Sequence, residues 1–421
     1  MDILLKSATI IDETSPHHNS VNDIWIKNGK IKKISPTIKA DNVKVVELDG
    51  LFVSQGWVDL HANLQDPGYE FKEDLTSGLK AAAAGGYTTI AISPLTNPIR
   101  DSKAQVEYLI NQTKSSVVNA LPYGSLSKNS EGKELAELYD MKESGAVGFF
   151  DGKHSIKNPN LLNRALLYTK SFDGLIINFP HTSEIAPNGV MNEGPSSTNL
   201  GLKGIPELAE ELMVSRDIYL TEYTNGKIHF STISSPNSLQ LIAKAKSKGL
   251  KISCDIAAYT LLLSDNELEG FDSRFKTIPP LRSKQSIKAL IKGVKSGVVD
   301  AICSDHLPED IESKKREFDH AAFGIINLQT AFSVAYTALH EALKIEEIIS
   351  LFTKGPAKVL GLKKHSIKEG EIADLSLFQP NENFTFTKDN TLSISQNSPF
   401  YGIELKGKVV GVINNNKAYL N

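Results

Sequence analysis

Strands and helices alternate along most of this chain, from residue 56 to residue 353. The segments read as buried strands that alternate with helices. Strands are predicted at 56–61, 86–92, 117–123, 146–150, 174–179, 228–233, 251–256 and 300–304. Helices are predicted at 74–85, 103–114, 132–144, 160–170, 205–215, 237–248, 283–295, 325–342 and 345–353. About eight such steps predict an α/β fold of the (β/α)8 barrel class. The alternative is a doubly wound sheet, but no glycine-rich phosphate loop follows the first strand.

The two ends of the chain show a different sequence pattern. Residues 1–54 and 363–421 read as short strands, and Asn28-Gly29 between two alternating runs predicts a hairpin with a type I′ turn. We therefore expect both ends to pair into one small, discontinuous β domain beside a barrel that spans residues 55–362.

Composition limits the class of protein. The chain has 421 residues, a formal net charge of −3 and two cysteines, Cys254 and Cys303. Two cysteines without a CxxC motif give no disulfide framework, and no apolar run approaches the roughly 20 residues that span a bilayer. We expect a cytoplasmic protein that binds neither nucleic acid nor membrane.

The first barrel strand carries the most informative motif, Gly56-Trp57-Val58-Asp59-Leu60-His61-Ala62-Asn63. Alternate strand residues point to the same side, so a His-x-His pair here would clamp a metal. The chain instead has His61-Ala62-Asn63. Active sites of barrels lie at the carboxyl ends of their strands, where His61 would stand.

A series of motifs resembles the dihydroorotases, within the amidohydrolase superfamily. The motifs are Gly56–His61, Asp66-Pro67-Gly68 with Lys72-Glu73-Asp74, Ala82–Thr89, Gly201–Pro206, Pro279–Arg282, Ser304–Pro308 and Gly370–Leu375. The resemblance implies a (β/α)8 barrel with a β-sandwich built from both termini, and often a homodimer. It also implies one or two zinc ions whose bound hydroxide opens, or in reverse forms, the cyclic amide of dihydroorotate.

The resemblance assigns the metal ligands position by position. His61, Asp151 and Asp305 match ligand positions, and Asp305 would also be the general base of an active enzyme. Three other ligand positions, normally histidine, hold Asn63, Pro180 and Thr232. His181 could replace a ligand only through a shift of one residue.

Positions that grip the substrate in the family have also changed. Gln65 stands where an arginine would bind a carboxylate, and Leu95 stands where an asparagine would bind substrate. One imidazole and two carboxylates could hold a hard cation weakly, whereas tight zinc sites need three or more good ligands. We therefore expect no metal or a weakly bound one, with zinc as the metal if the site is functional.

Three functions remain open from the sequence. The first is a catalytically impaired dihydroorotase homologue with a structural or regulatory role, whose partner could be an aspartate transcarbamoylase-type enzyme. The second is an active cyclic amidohydrolase, acting on dihydroorotate, a hydantoin or allantoin, with a mononuclear site rebuilt from His61, Asp151, His181 and Asp305. The third is a small-molecule binding module that uses the vacated pocket.

Overall fold

The computed structural model describes residues 1–421 and contains two large sheets. The first sheet joins both ends of the chain, and its carboxyl-terminal strands are β16 (Leu375–Thr385), β17 (Glu404–Asn414) and β18 (Lys417–Leu420). Its amino-terminal strands are β1 (Asp2–Ile11), β2 (Val21–Lys27), β3 (Lys30–Ser35), β4 (Lys44–Glu47) and β5 (Phe52–Gln55). The strand order is β18-β17-β16-β5-β1-β2-β3, with β4 paired to β1. This sheet encloses an apolar core of its own, which includes Ile3, Ile24 and Ile413.

The predicted hairpin forms between β2 and β3. Lys27 pairs with Lys30, and the two turn residues between them, Asn28 and Gly29, have φ angles of 50° and 75°. Both positive angles are those that a type I′ turn requires, so the Asn-Gly prediction is confirmed.

The second sheet is a parallel barrel of eight strands, ordered β15-β14-β13-β10-β9-β8-β7-β6. Its strands are β6 (Trp57–Ala62), β7 (Tyr87–Ile92), β8 (Asn119–Gly124), β9 (Gly148–Phe149), β10 (Ile176–Asn178), β13 (Lys227–Phe230), β14 (Lys251–Ala257) and β15 (Ala301–Cys303). The strands β11 (Met191–Asn192) and β12 (Gly204–Ile205) form a separate parallel pair in the connection after β10.

The first and last barrel strands meet, which excludes the open, doubly wound sheet. Ala62 forms a parallel bridge with His306, and the backbone N–H of Asn63 donates to the carbonyl of His306 at 2.9 Å. The buried carboxylate of Asp59 accepts from the backbone and the hydroxyl of Ser304, both at 2.6 Å. The predicted (β/α)8 barrel is therefore confirmed.

Twelve α-helices connect the strands. They are α1 (Leu75–Ala84), α2 (Lys103–Thr113), α3 (Leu138–Glu143), α4 (Pro159–Thr169), α5 (Pro195–Leu200), α6 (Leu208–Thr224), α7 (Pro236–Ser247), α8 (Lys284–Lys295), α9 (Ile311–Lys314), α10 (Ala331–Leu339), α11 (Ile345–Ser350) and α12 (Lys354–Leu360). None of these helices is long and apolar enough to cross a membrane.

Helix α3 is much shorter than the segment 132–144 predicted from the sequence. The residues before it form a loop in which Ser127 bridges to Leu135, and the backbone N–H of Ala136 donates to Leu126. These backbone contacts within the loop outweigh the local helix preference of residues 132–137.

Barrel and terminal sheet share one apolar core at Trp57. Its ring stacks on Phe332 of α10 with centroids 4.3 Å apart, and it lies 5.4 Å from Phe378 of β16 (Leu375–Thr385). The remaining terminal strands are β17 (Glu404–Asn414), which packs on α10, and β18 (Lys417–Leu420). The candidate site lies at the carboxyl ends of the barrel strands.

Candidate functional site at the carboxyl ends of the barrel strands

His61 lies near the end of β6 and is fully buried. Its Nδ1 is 2.9 Å from Oδ1 of Asp305, an ion-pair distance without the alignment of a well-formed hydrogen bond. The other ring nitrogen, Nε2, has no hydrogen-bonding partner. The edge of the ring packs against Phe150, with centroids 5.0 Å apart and planes at 72°. The structure thus brings together two of the predicted site residues, His61 and Asp305.

Asp305 follows β15 and has a φ of 46°, in the left-handed region that aspartate tolerates. Its Oδ1 contacts Lys153 Nζ at 2.8 Å as well as His61, and its Oδ2 accepts from the Tyr259 hydroxyl at 2.6 Å. Burial acts to raise the pKa of this carboxyl, but the Lys153 ammonium and His61 outweigh it and lower the pKa to about 2. Asp305 is therefore an ionised carboxylate at neutral pH.

Lys153 was not singled out from the sequence, yet it lies at the centre of the site. Its ammonium donates to Oγ1 of Thr232 at 3.1 Å, in addition to the contact with Asp305. It also lies 4.5 Å from the centroid of the Phe179 ring, within the range of a cation–π contact. A lysine two residues after a candidate ligand, in a strand-end loop, was the sequence signal that could have found it.

Asp151 is buried, and its hydrogen bonds go to the loop after β8. Its Oδ1 accepts from the Ser125 hydroxyl and from the backbone N–H groups of Leu126 and Ser127, and its Oδ2 accepts from the Ser127 hydroxyl. Burial raises the pKa of the carboxyl in spite of these hydrogen bonds. The side chain thus fixes the loop after β8, and it is the preceding residue, Phe150, that contacts His61.

The three residues at the replaced histidine positions take different roles. The Asn63 amide donates to the carbonyl of His306 at 2.9 Å, which ties β6 to the loop after β15. Thr232 has a φ of 54°, a strained conformation for a β-branched residue, and its N–H donates to Asp255. Pro180 is buried next to Phe179 and offers no side-chain ligand atom.

His181 does not join the pair of His61 and Asp305. Its ring is tilted against Phe179, with centroids 5.9 Å apart. Burial, with a smaller contribution from the Arg282 charge, lowers its pKa to about 4, so the imidazole is neutral at pH 7. Arg282 is itself buried, and donates to Ser234, to Asn192 and to a backbone carbonyl.

The predicted substrate positions are also used within the protein. The Gln65 amide donates to the carbonyl of Pro308 at 2.8 Å. The side chain of Leu95 lies against Gly152, where an added Cβ would approach it to 2.4 Å. Gly152 also has a φ of 60°, so the backbone between Asp151 and Lys153 depends on glycine.

Tight zinc sites in proteins use three or more good ligands from His, Cys, Asp or Glu side chains. No group of three or more His, Cys, Asp or Glu side chains is arranged to hold a metal ion. The pair of His61 and Asp305 supplies one imidazole and one carboxylate, and their nearest charged neighbour is an ammonium. An ammonium has donors only and no lone pair for a metal, and it repels a cation.

Comparison with known proteins identifies the family. The Dihydro-orotase-like family matches residues 50–238, and the Amidohydrolase family matches residues 197–418. The chain is 38% identical over 410 residues to the dihydroorotase of Geobacter metallireducens, covering 97% of this chain and 96% of that protein. It is 40% identical over 412 residues to the dihydroorotase of a Thermoanaerobacter species, covering 97% and 95%. The chain belongs to the dihydroorotase family of amidohydrolases. The resemblance inferred from its motifs is thereby confirmed.

Solved structures support the fold of this dihydroorotase-family protein. The L-hydantoinase of Arthrobacter aurescens superposes with a TM-score of 0.86 at 21% identity, covering all of this chain and 96% of the other. A D-hydantoinase from a Thermus species gives a TM-score of 0.81 at 22% identity, covering 100% and 95%. At these identities the likeness concerns the fold alone.

Proposed function

We propose that this chain is a catalytically impaired member of the dihydroorotase family, with a structural or regulatory role linked to pyrimidine biosynthesis. One observation carries the proposal: no third His, Cys, Asp or Glu side chain joins His61 and Asp305. Hydrolysis of a cyclic amide in this family depends on a metal-activated water, and a pair of ligands holds zinc poorly. Asp151, which the sequence offers as a third ligand, is engaged by the loop after β8.

The deciding experiment measures metal and turnover on one purified sample. We expect far less than one zinc per chain by plasma mass spectrometry after purification and dialysis against micromolar zinc. We also expect no opening of dihydroorotate and no ring closure of carbamoyl aspartate above the uncatalysed rate. The dihydroorotase of Geobacter metallireducens, handled in parallel, is the positive control. Stoichiometric zinc together with clear turnover would reject the proposal.

The second candidate is an active cyclic amidohydrolase with a rebuilt mononuclear site. The similarity to proteins named dihydroorotase over nearly the whole chain favours it. In that case Asp305 would be the general base, and His61, Asp151, His181 and Asp305 would hold the zinc, which would activate the attacking water. Asp305→Ala would abolish the measured turnover of such an enzyme. Unchanged turnover in Asp305→Ala would exclude this candidate.

A homodimer fits the proposed structural role, and one surface supports it. Leu208, Leu212, Tyr219 and Tyr223 lie on one side of α6 because their spacings of four, seven and four return to the same face. Their exposed fractions are 48%, 48%, 71% and 81%. Exposed apolar rows of this kind mark contact surfaces between proteins. We call these four residues the α6 face. A transcarbamoylase-type partner is the other occupant that this surface could take.

A further inference from the structure

The Lys153 ammonium contacts residues from three other strand ends. Lys153 itself comes from the loop after β9, and its contacts come from the segments after β10, β13 and β15. The contacts are the ring of Phe179, the hydroxyl of Thr232 and the carboxylate of Asp305. Its side chain is 12% exposed, so these contacts replace most of its water.

The buried carboxylate of Asp305 needs a cationic partner. The Asp305 carboxylate is 3% exposed, and a buried carboxylate without a cationic partner is strongly destabilising. Two basic side chains lie beside this carboxylate, with Lys153 Nζ 2.8 Å and His61 Nδ1 2.9 Å from Asp305 Oδ1. Lys153 is the one of the two that bridges Asp305 to a second strand end, through its hydrogen bond to Thr232.

The backbone around Lys153 supports this placement. The left-handed conformation of Gly152 turns the chain between Asp151 and Lys153, and the side chain of Leu95 covers this turn. Asp151 anchors the preceding residues to the loop after β8. The loop that carries Lys153 is therefore held in place by its neighbours, and it positions the ammonium next to Asp305.

We propose that the Lys153 ammonium takes the place of a metal cation as the counter-ion of Asp305, so that the barrel mouth is held together without metal. The replaced ligand at position 232 fits this role, because a threonine hydroxyl accepts a hydrogen bond from an ammonium. The inference deepens the proposed loss of catalysis. The two remain separable, because one concerns stability and metal response and the other concerns turnover.

A double-mutant cycle tests the pairing of Lys153 with Asp305. Lys153→Met and Asp305→Asn should each lower the Tm by at least about 5 °C, since each leaves a buried charge unpaired. The double variant should regain at least half of the summed loss, because neither charge remains. Lys153→Arg keeps the charge and should lose the least, which provides a second measurement if Lys153→Met does not fold. Additive losses in the cycle would overturn the proposal.

The effect of metal on the Tm tests whether Lys153 takes the place of a metal cation. The wild-type Tm should be unchanged by EDTA and by millimolar MnCl2 or ZnCl2. Lys153→Ala opens the position beside Asp305 and His61, and its Tm should rise by several degrees with either metal. The matched control is Lys364→Ala, which removes an equally exposed lysine 2.8 Å from Asp374 in another pair and should show no metal response. A fall of the wild-type Tm in EDTA, or no metal response in Lys153→Ala, would overturn the proposal.

Turnover on the same samples separates this inference from the proposed function. A wild-type chain that is inactive but shows additive losses in the cycle would retain the proposed function and reject the role of Lys153. An active wild-type chain whose Tm and turnover are unchanged by EDTA, and whose Lys153→Ala variant gains metal binding, would reject only the loss of catalysis.

Discussion

At the residue scale, two adjacent residues, Phe150 and Asp151, determine which side chain lies next to His61. Phe150 turns toward His61 and packs on its ring, while Asp151 turns to the loop after β8. The family pattern fixes the identity of Asp151 but not the direction of its side chain. A carboxylate that accepts four hydrogen bonds from one loop is a structural anchor in this conformation.

Replacement of Asp151 measures this anchoring role. Asp151→Ala should lower the free energy of unfolding by about 3 kcal/mol, because buried N–H and hydroxyl groups lose a charged acceptor. Urea unfolding followed by circular dichroism gives the value. Asp140→Ala, at an exposed position of α3, is the control and should change it by no more than about 0.5 kcal/mol. A variant as stable as the wild type would contradict the anchoring role and favour a ligand role for Asp151.

At the scale of the elements, a buried carboxylate joins helix α6 to strand β10. Asp217 accepts from the side-chain amide of Asn178 at 2.6 Å and from Nε of Arg216 at 2.7 Å. Burial raises its pKa to about 6, although Arg216 and Asn178 act in the opposite direction. Since this folded-state pKa lies above the unfolded value near 3.8, the group stabilises the fold most below pH 4. That contribution is lost as the pH rises through 6.

Asp217→Asn removes this pH dependence. The unfolding free energy of the wild type relative to Asp217→Asn should fall by about 2 kcal/mol between pH 4 and pH 7. Urea unfolding at several pH values measures it. Asp173→Asn is the control, because its pairing with Lys227 lowers the pKa of Asp173 and gives a weak trend of the opposite sign. A wild-type advantage that is constant with pH would contradict the pKa shift of Asp217.

At the scale of the whole molecule, the Trp57 core makes the barrel and the terminal sheet interdependent. The ring of Trp57 contacts α10 and β16, and its backbone N–H donates to the Ser376 hydroxyl at 2.9 Å. The α6 face remains exposed on the outer surface of the barrel. An assembly through this face would bury the largest exposed aromatic side chains of the helix.

The proposed dimer predicts a change of mass on substitution in the α6 face. The wild type should elute with twice the chain mass of 46.0 kDa in size-exclusion chromatography with light scattering. Tyr219→Glu/Tyr223→Glu places charges in the contact and should give a monomer with an unchanged circular dichroism spectrum. Tyr139→Glu, an exposed tyrosine of α3, is the control and should remain a dimer. A wild-type monomer, or a dimer that survives the double substitution, would exclude the α6 face.

The sequence by itself determined the features that depend on short stretches of chain. Alternating strands and helices predicted the barrel, Asn28-Gly29 predicted the hairpin, and ordered motifs predicted the family. The sequence also predicted that His61 and Asp305 belong to the same strand-end site. Only the tertiary structure decided which side chains face each other there. Lys153, Thr232 and Asp305 are far apart in the chain and converge because parallel strands end at one edge of the barrel. The directions of Phe150 and Asp151 depend on packing against other strands, which no local pattern contains.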